Sequence, residues 1–135
     1  MSKLTDIPIE EYTTPSPISL EPGADYQTII DTMHDNDVRH VPVVEGDKPC
    51  GIISERDVLR ASRKADTMSL QAKDVMTPNP FVVPVSATLG KVAFEISSRK
   101  IGSALVVDSN GGLYGIFTAI DGLNALVEVL RGEVD

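Results

Sequence analysis

An α+β fold of two tandem β-α-β-β-α repeats is predicted by three features of the sequence. The chain repeats itself over half its length, each half carries an amphipathic helical stretch, and each half then has two apolar runs flanking a turn signal.

The repeat is direct. Thr14-Pro15-Ser16-Pro17 returns as Thr77-Pro78-Asn79-Pro80, an offset of 63 residues, and Ala24 and Val43-Val44 return as Ala87 and Val106-Val107. After one extra residue the offset becomes 64, matching Gly51-Ile52, Asp57, Leu59 and Ala61 to Gly115-Ile116, Asp121, Leu123 and Ala125. Units of about 50 residues rarely bury their apolar face alone, so the copies should pack on each other. The chain divides accordingly into a lead-in (1–11), a first repeat (12–63), a polar linker (64–73), a second repeat (74–131) and a short tail (132–135).

Within each copy a proline-bounded extended segment comes first, Ile18–Leu20 or Phe81–Val83, because proline disfavours helix in the residue before it. An amphipathic helix follows, at about 25–36 and 89–99, with Ile29, Ile30 and Met33, or Val92, Ala93 and Ile96, at helical spacing. The apolar runs Val41–Val44 and Cys50–Ile53 flank Glu45-Gly46-Asp47-Lys48. Ala104–Val107 and Tyr114–Phe117 flank a turn containing Asn110-Gly111, a step that favours the positive φ of hairpin turns. A second helix closes each copy, at about 55–63 and 119–130.

Composition narrows the function. The chain has 135 residues, 41% of them hydrophobic, and a formal charge of −8. A negative field repels phosphate backbones, and with no tryptophan and three Phe plus three Tyr there is no stacking platform for single strands. Nucleic acid is therefore not expected as a partner. No apolar run approaches the roughly 20 residues that span a bilayer, so no membrane partner is expected either. The mixed, acidic N-terminus does not read as a signal peptide, and one cysteine, Cys50, excludes an internal disulfide. A cytoplasmic location is the expectation.

Both hairpins run into one pattern of glycine, two apolar residues, a hydroxyl, two variable residues and aspartate. The copies are Gly51-Ile52-Ile53-Ser54-Glu55-Arg56-Asp57 and Gly115-Ile116-Phe117-Thr118-Ala119-Ile120-Asp121. In the structural reading this is a capping box, hydroxyl and carboxylate satisfying the amides of the first helical turn. In the functional reading the glycine admits a close backbone or ligand. The helix start then faces a phosphate, and the carboxylate accepts from ribose hydroxyls. The two roles are compatible.

The Thr-Pro-x-Pro openings, Arg39-His40-Val41-Pro42-Val43-Val44 and the paired G-h-h-[S/T]-x-x-D stretches together resemble a tandem cystathionine-β-synthase (CBS) domain pair, or Bateman module. The resemblance covers nearly the whole chain. It implies two repeats packed through their sheets with pseudo-twofold symmetry, clefts for AMP, ADP, ATP or another adenosyl compound such as S-adenosylmethionine or NAD, and no required cofactor. It implies that Asp57 and Asp121 hold ribose, Ser54 and Thr118 touch phosphate, and Ile18 and Phe81 lie against the base. It further implies a homodimer that signals to an unidentified effector protein. Arg39, His40 and Arg56 supply cations in copy one, where copy two has Gly102, Ser103 and Ile120. That difference predicts unequal sites, one tolerating a polyphosphate and the other preferring a less charged group.

Other signals carry less. Cys50 has no nucleophile partner at a recognisable spacing, His34 and His40 are wrongly placed for a metal pair, and Asp31, Asp35 and Asp37 lack the rest of a calcium loop. No catalytic or metal-binding residues are assigned. The rival readings are a structural or interaction protein without bound nucleotide, and a small enzyme, which the missing catalytic set disfavours.

Overall fold

The computed structural model describes residues 6–15, 18–64 and 66–132. They form two compact units, one of residues 18–80 and one joining residues 6–15 to 81–132. The elements are β1 (Thr14–Pro15), α1 (Tyr26–Asp35), β2 (His40–Glu45), β3 (Lys48–Ser54), α2 (Glu55–Ala61), α3 (Ala72–Val75), β4 (Thr77–Pro78), β5 (Val82–Pro84), α4 (Leu89–Arg99), β6 (Ser103–Val107), β7 (Leu113–Thr118) and α5 (Ala119–Leu130). Single 3-10 turns occupy Ile9–Tyr12 and Thr67–Ser69.

The first unit has a sheet in the order β2-β3-β4, extended by a parallel bridge from Leu20 to Val43. The second has β1-β7-β6-β5, with β5 parallel to β6. The two sheets share one plan, and each hairpin shifts register at the same place, between Val43 and Val44 or Val106 and Val107. The outer strands were not foreseen. Thr77-Pro78 pairs antiparallel with Ile52 and Gly51, and Thr14-Pro15 pairs with Ile116 and Gly115. Each Thr-Pro opening thus lies on the hairpin of the other repeat.

Glycine is required there by the close approach of the neighbouring strand, through backbone at Gly115 and mainly through a side chain at Gly51. A Cβ on Gly115 would sit 2.6 Å from Thr13 Cγ2 and collide with the Thr14 carbonyl oxygen. One on Gly51 would lie 2.8 Å from Met76 Cγ and 3.1 Å from the Thr77 carbonyl oxygen. Of the two uses the sequence allowed for these glycines, the neighbouring strand accounts for the contact.

Segments read as lead-in and linker supply core side chains. Ile9 and Ala72 are both fully buried, and they dock in the same manner, Ile9 N–H donating to Ala87 O at 2.7 Å and Ala72 N–H to Ala24 O at 2.8 Å. The cores correspond position by position. Leu20, Ile29, Val41, Val43, Ile53 and Ala61 in the first unit stand where Val83, Val92, Ala104, Val106, Phe117 and Ala125 stand in the second.

Helix ends follow local chemistry. Asp25 caps α1 by accepting from Thr28 N–H at 2.8 Å, and α4 ends at Lys100 in the left-handed region, φ 57°. Gly46 and Gly111 take the positive φ of the hairpin turns, 68° and 82°. Asp108 Oδ1 fixes the second turn by accepting from Asn110 and Gly112 N–H at 2.8 and 3.0 Å.

Candidate functional site

Each hairpin delivers its cap residue to a fixed place, because β2 and β3 set His40 opposite Ser54, and β6 and β7 set Ser103 opposite Thr118. Both junctions are capping boxes. Ser54 N–H and Oγ–H donate to Asp57 Oδ2 at 2.8 and 3.0 Å, and Asp57 N–H returns to Ser54 Oγ at 3.1 Å. Thr118 N–H and Oγ1–H donate to Asp121 Oδ2 at 2.8 and 3.1 Å. The first helical amides are used as well, Glu55 N–H by Arg39 O at 3.0 Å and Ala119 N–H by Gly102 O at 3.1 Å. The sequence reading expected these amides to face a ligand.

Beyond the caps the junctions diverge. Asp57 is 4% exposed, and Arg60 Nη1 and Thr77 Oγ1 donate to its Oδ1 at 3.3 and 3.2 Å. Asp121 is half-buried, and among the described residues its side chain accepts from the two groups of Thr118. Neither Arg60 nor Thr77 was singled out from sequence. The i,i+3 spacing of Asp57 and Arg60 on one helix face was available as a signal. The Thr77 contact, 20 residues away in sequence, had none.

His40 is half-buried beside this cluster. Loss of water around the ring lowers its pKa from the usual 6.5, against the pull of Asp57 and Glu55 and with a push from Arg39. Arg39, Arg56, Ile18 and Ile120 are exposed. Phe81 is half-buried against the second core, with the Arg99 guanidinium 4.4 Å above its ring, so one face of the residue expected to meet a base is already covered by a cation. Cys50 Sγ reaches Val43 O at 3.5 Å, and burial raises its pKa, the setting of an unreactive thiol.

A groove of about 340 Å³ in the second unit is lined by α4, by Ile101 and Phe117, and by Ala119 and Gly122 of α5, and not by Thr118 or Asp121. Among the described residues no group of three His, Cys, Asp or Glu is placed to hold a metal, and no helix is long and apolar enough to cross a membrane.

Two copies of one sheet plan, each ending in a hydroxyl–aspartate cap, place the molecule in a known class. The CBS domain family matches residues 9–64 and 72–128, and the chain belongs to that family. Inosine-5'-monophosphate dehydrogenase of Korarchaeum cryptofilum (strain OPF8) is 34% identical over 89 residues, 66% of this chain. The chain spans 18% of the length of that relative. The CBS domain of a bacterial CNNM/CorC family Mg2+ transporter, solved in complex with ATP, is 25% identical with a TM-score of 0.83, over 93% of this chain and 90% of that one. CBSX2 of Arabidopsis thaliana, solved in complex with AMP, shares the fold at 24% identity and a TM-score of 0.82, over 93% of this chain and 99% of that one.

Proposed function

We propose that this CBS pair is a regulatory module that binds an adenine nucleotide, AMP, ADP or ATP, with S-adenosylmethionine or NAD as less favoured ligands. Asp121 carries the reading. Its Oδ2 completes the helix cap while Oδ1 has no donor of its own among the described residues, and one carboxylate can thus cap a helix and accept from a ribose hydroxyl. Thr118 stands beside it as a phosphate contact, with Ile120 exposed on the first turn. In the other copy Ser54, Asp57, Arg39, His40 and Arg56 stand at the corresponding places, with Asp57 already engaged by Arg60 and Thr77. Ile18 and Phe81, one in each repeat, are the base contacts of their own copies. Support from outside the chain is the ATP complex of the transporter CBS domain at 25% identity.

A thermal-shift panel of AMP, ADP, ATP, NAD, S-adenosylmethionine and cyclic di-AMP tests this reading. A ligand at 100 times its Kd stabilises the folded state by about 2.7 kcal/mol. Absence of any shift across the panel would leave the rival, an interaction protein that keeps the caps without the ligand. The near closure of Asp57 favours that rival for the first junction.

We further propose that the module works as a homodimer and passes ligand state to an effector protein. Ile120, Leu123, Leu126, Val127 and Leu130 leave an apolar stripe exposed along α5, suited to a second copy. Ligand acts on such an assembly only through a difference in affinity between two arrangements.

A further inference from the structure

We infer that the chain binds one adenine nucleotide, at the Asp121 junction, and that Arg60 and Thr77 keep the Asp57 junction closed. The inference rests on the nucleotide reading above and adds which copy of the motif is competent and what decides it.

The two motifs are equivalent in sequence and in backbone, so the difference lies in the side chains that reach the carboxylate. Both oxygens of Asp57 are taken. Oδ2 accepts from Ser54 N–H and Oγ–H, and Oδ1 from Arg60 Nη1 at 3.3 Å and Thr77 Oγ1 at 3.2 Å. The carboxylate is 4% exposed while its Arg60 partner is 64% exposed, so the guanidinium covers the acid from the solvent side. A ribose hydroxyl would have to displace a charged donor and a hydroxyl already aligned.

In the second copy neither donor reaches the acid. The offset of 64 puts Asn124 where Arg60 stands, and Asn124 is exposed. The counterpart of Thr77 is Thr14, also exposed, and among the described residues neither donates to Asp121. One substitution, Arg60 against Asn124, and one contact that Thr77 makes and Thr14 does not, therefore separate an engaged acid from an available one. In the first copy Arg60 is engaged by its own aspartate.

Isothermal titration of the full chain with ATP decides the matter. Wild type is expected to bind one ATP per chain. Asp121→Asn should lose it, and Asp57→Asn should keep it. Arg60→Ala combined with Thr77→Val should gain a second ATP, with affinity at that junction raised on the order of tenfold or more. Thr77→Ser with Arg60 intact keeps both donors and should stay at one ATP, which separates the hydroxyl's role from a general loosening of β4. Circular dichroism of each variant establishes that it is folded. Two ATP per wild-type chain, or binding that survives Asp121→Asn and is lost in Asp57→Asn, overturns the inference and leaves the nucleotide reading standing. No ATP bound by wild type or by the double variant overturns the inference, and the nucleotide reading falls with it only if the thermal-shift panel also shows no ligand.

Discussion

Gly115 lies so close beneath Thr14 that a methyl on its Cα would strike the Thr14 carbonyl, a contact between two backbones separated by about 100 residues of chain. At Gly51 the nearest obstruction is the Met76 thioether, the flexible end of a side chain, with the Thr77 carbonyl oxygen at 3.1 Å. Methionine can move aside, but a paired strand cannot do so cheaply. Gly115→Ala is therefore expected to destabilise by about 1–3 kcal/mol and Gly51→Ala by less. Urea denaturation of both variants tests the order, and a larger loss at Gly51 would contradict it.

Asp57 and Asp121 hold equivalent places but different numbers of donors. Replacing Asp57 by asparagine removes the charge that Arg60, Thr77 and Ser54 converge on. The expected loss is about 1–3 kcal/mol, since the site is buried and its donors are left poorly matched. Asp121→Asn weakens a cap with donors from Thr118 alone, for which about 0.5–1 kcal/mol is expected. Equal losses in chemical denaturation would mean that the Arg60 and Thr77 contacts contribute nothing in solution.

The elements that sequence pattern located well are those with enough length to show a period. Leu89–Arg99 and Ala119–Leu130 are helical as the spacing of their apolar residues requires, and the hairpins extend the expected runs by one or two residues at their ends. The second helix of the first copy stops at Ala61, short of the expected Arg63, where Ser62 Oγ–H turns back to Leu59 O at 2.6 Å. The short elements were not legible. Thr14–Pro15 and Thr77–Pro78 are two residues each and have no periodicity to read, and their partners lie in the other repeat. α3 spans four residues across the end of the polar stretch, although Gln71 N–H donating to Asp74 Oδ2 at 2.9 Å marks a helix start that the sequence displays. The caps were readable because their partners are three residues apart. Of what distinguishes the two caps, Arg60 against Asn124 could be read at i,i+3, while the Thr77 contact could not, because it arrives through tertiary pairing.

The His40 ring titrates below its usual value because it is partly withdrawn from water. The unfolded chain then binds a proton that the native chain resists, so stability falls as the pH drops through about 6.5 and levels off once it is below the lowered native value. His40→Gln should flatten this decline between about pH 7.5 and about pH 5.5. His34 is exposed and remains in both proteins, so it cancels from the comparison. Denaturation midpoints across that range provide the measurement, and parallel curves for the two proteins would refute the assignment.

Along α5, Ile120, Leu123, Val127 and Leu130 recur at intervals of three and four residues and all remain exposed, with Leu126 beside them. A stripe of this kind costs free energy in water, and covering one leucine is worth about 1.5–3 kcal/mol. Opposing association is the charge of −8 on each chain, a repulsion that salt screens. The wild-type dimer should therefore tighten as salt is raised, the reverse of an interface held by ion pairs. Leu123→Glu places a charge on the stripe without touching the buried face, which α5 contributes through Ala125. It should weaken dimerisation by about 100-fold or more and leave the circular dichroism spectrum unchanged. Sedimentation velocity over a concentration series distinguishes the outcomes. A wild-type chain that stays monomeric at about 100 μM, a concentration at which even weak dimers assemble, would show that this face is covered by something other than a second copy.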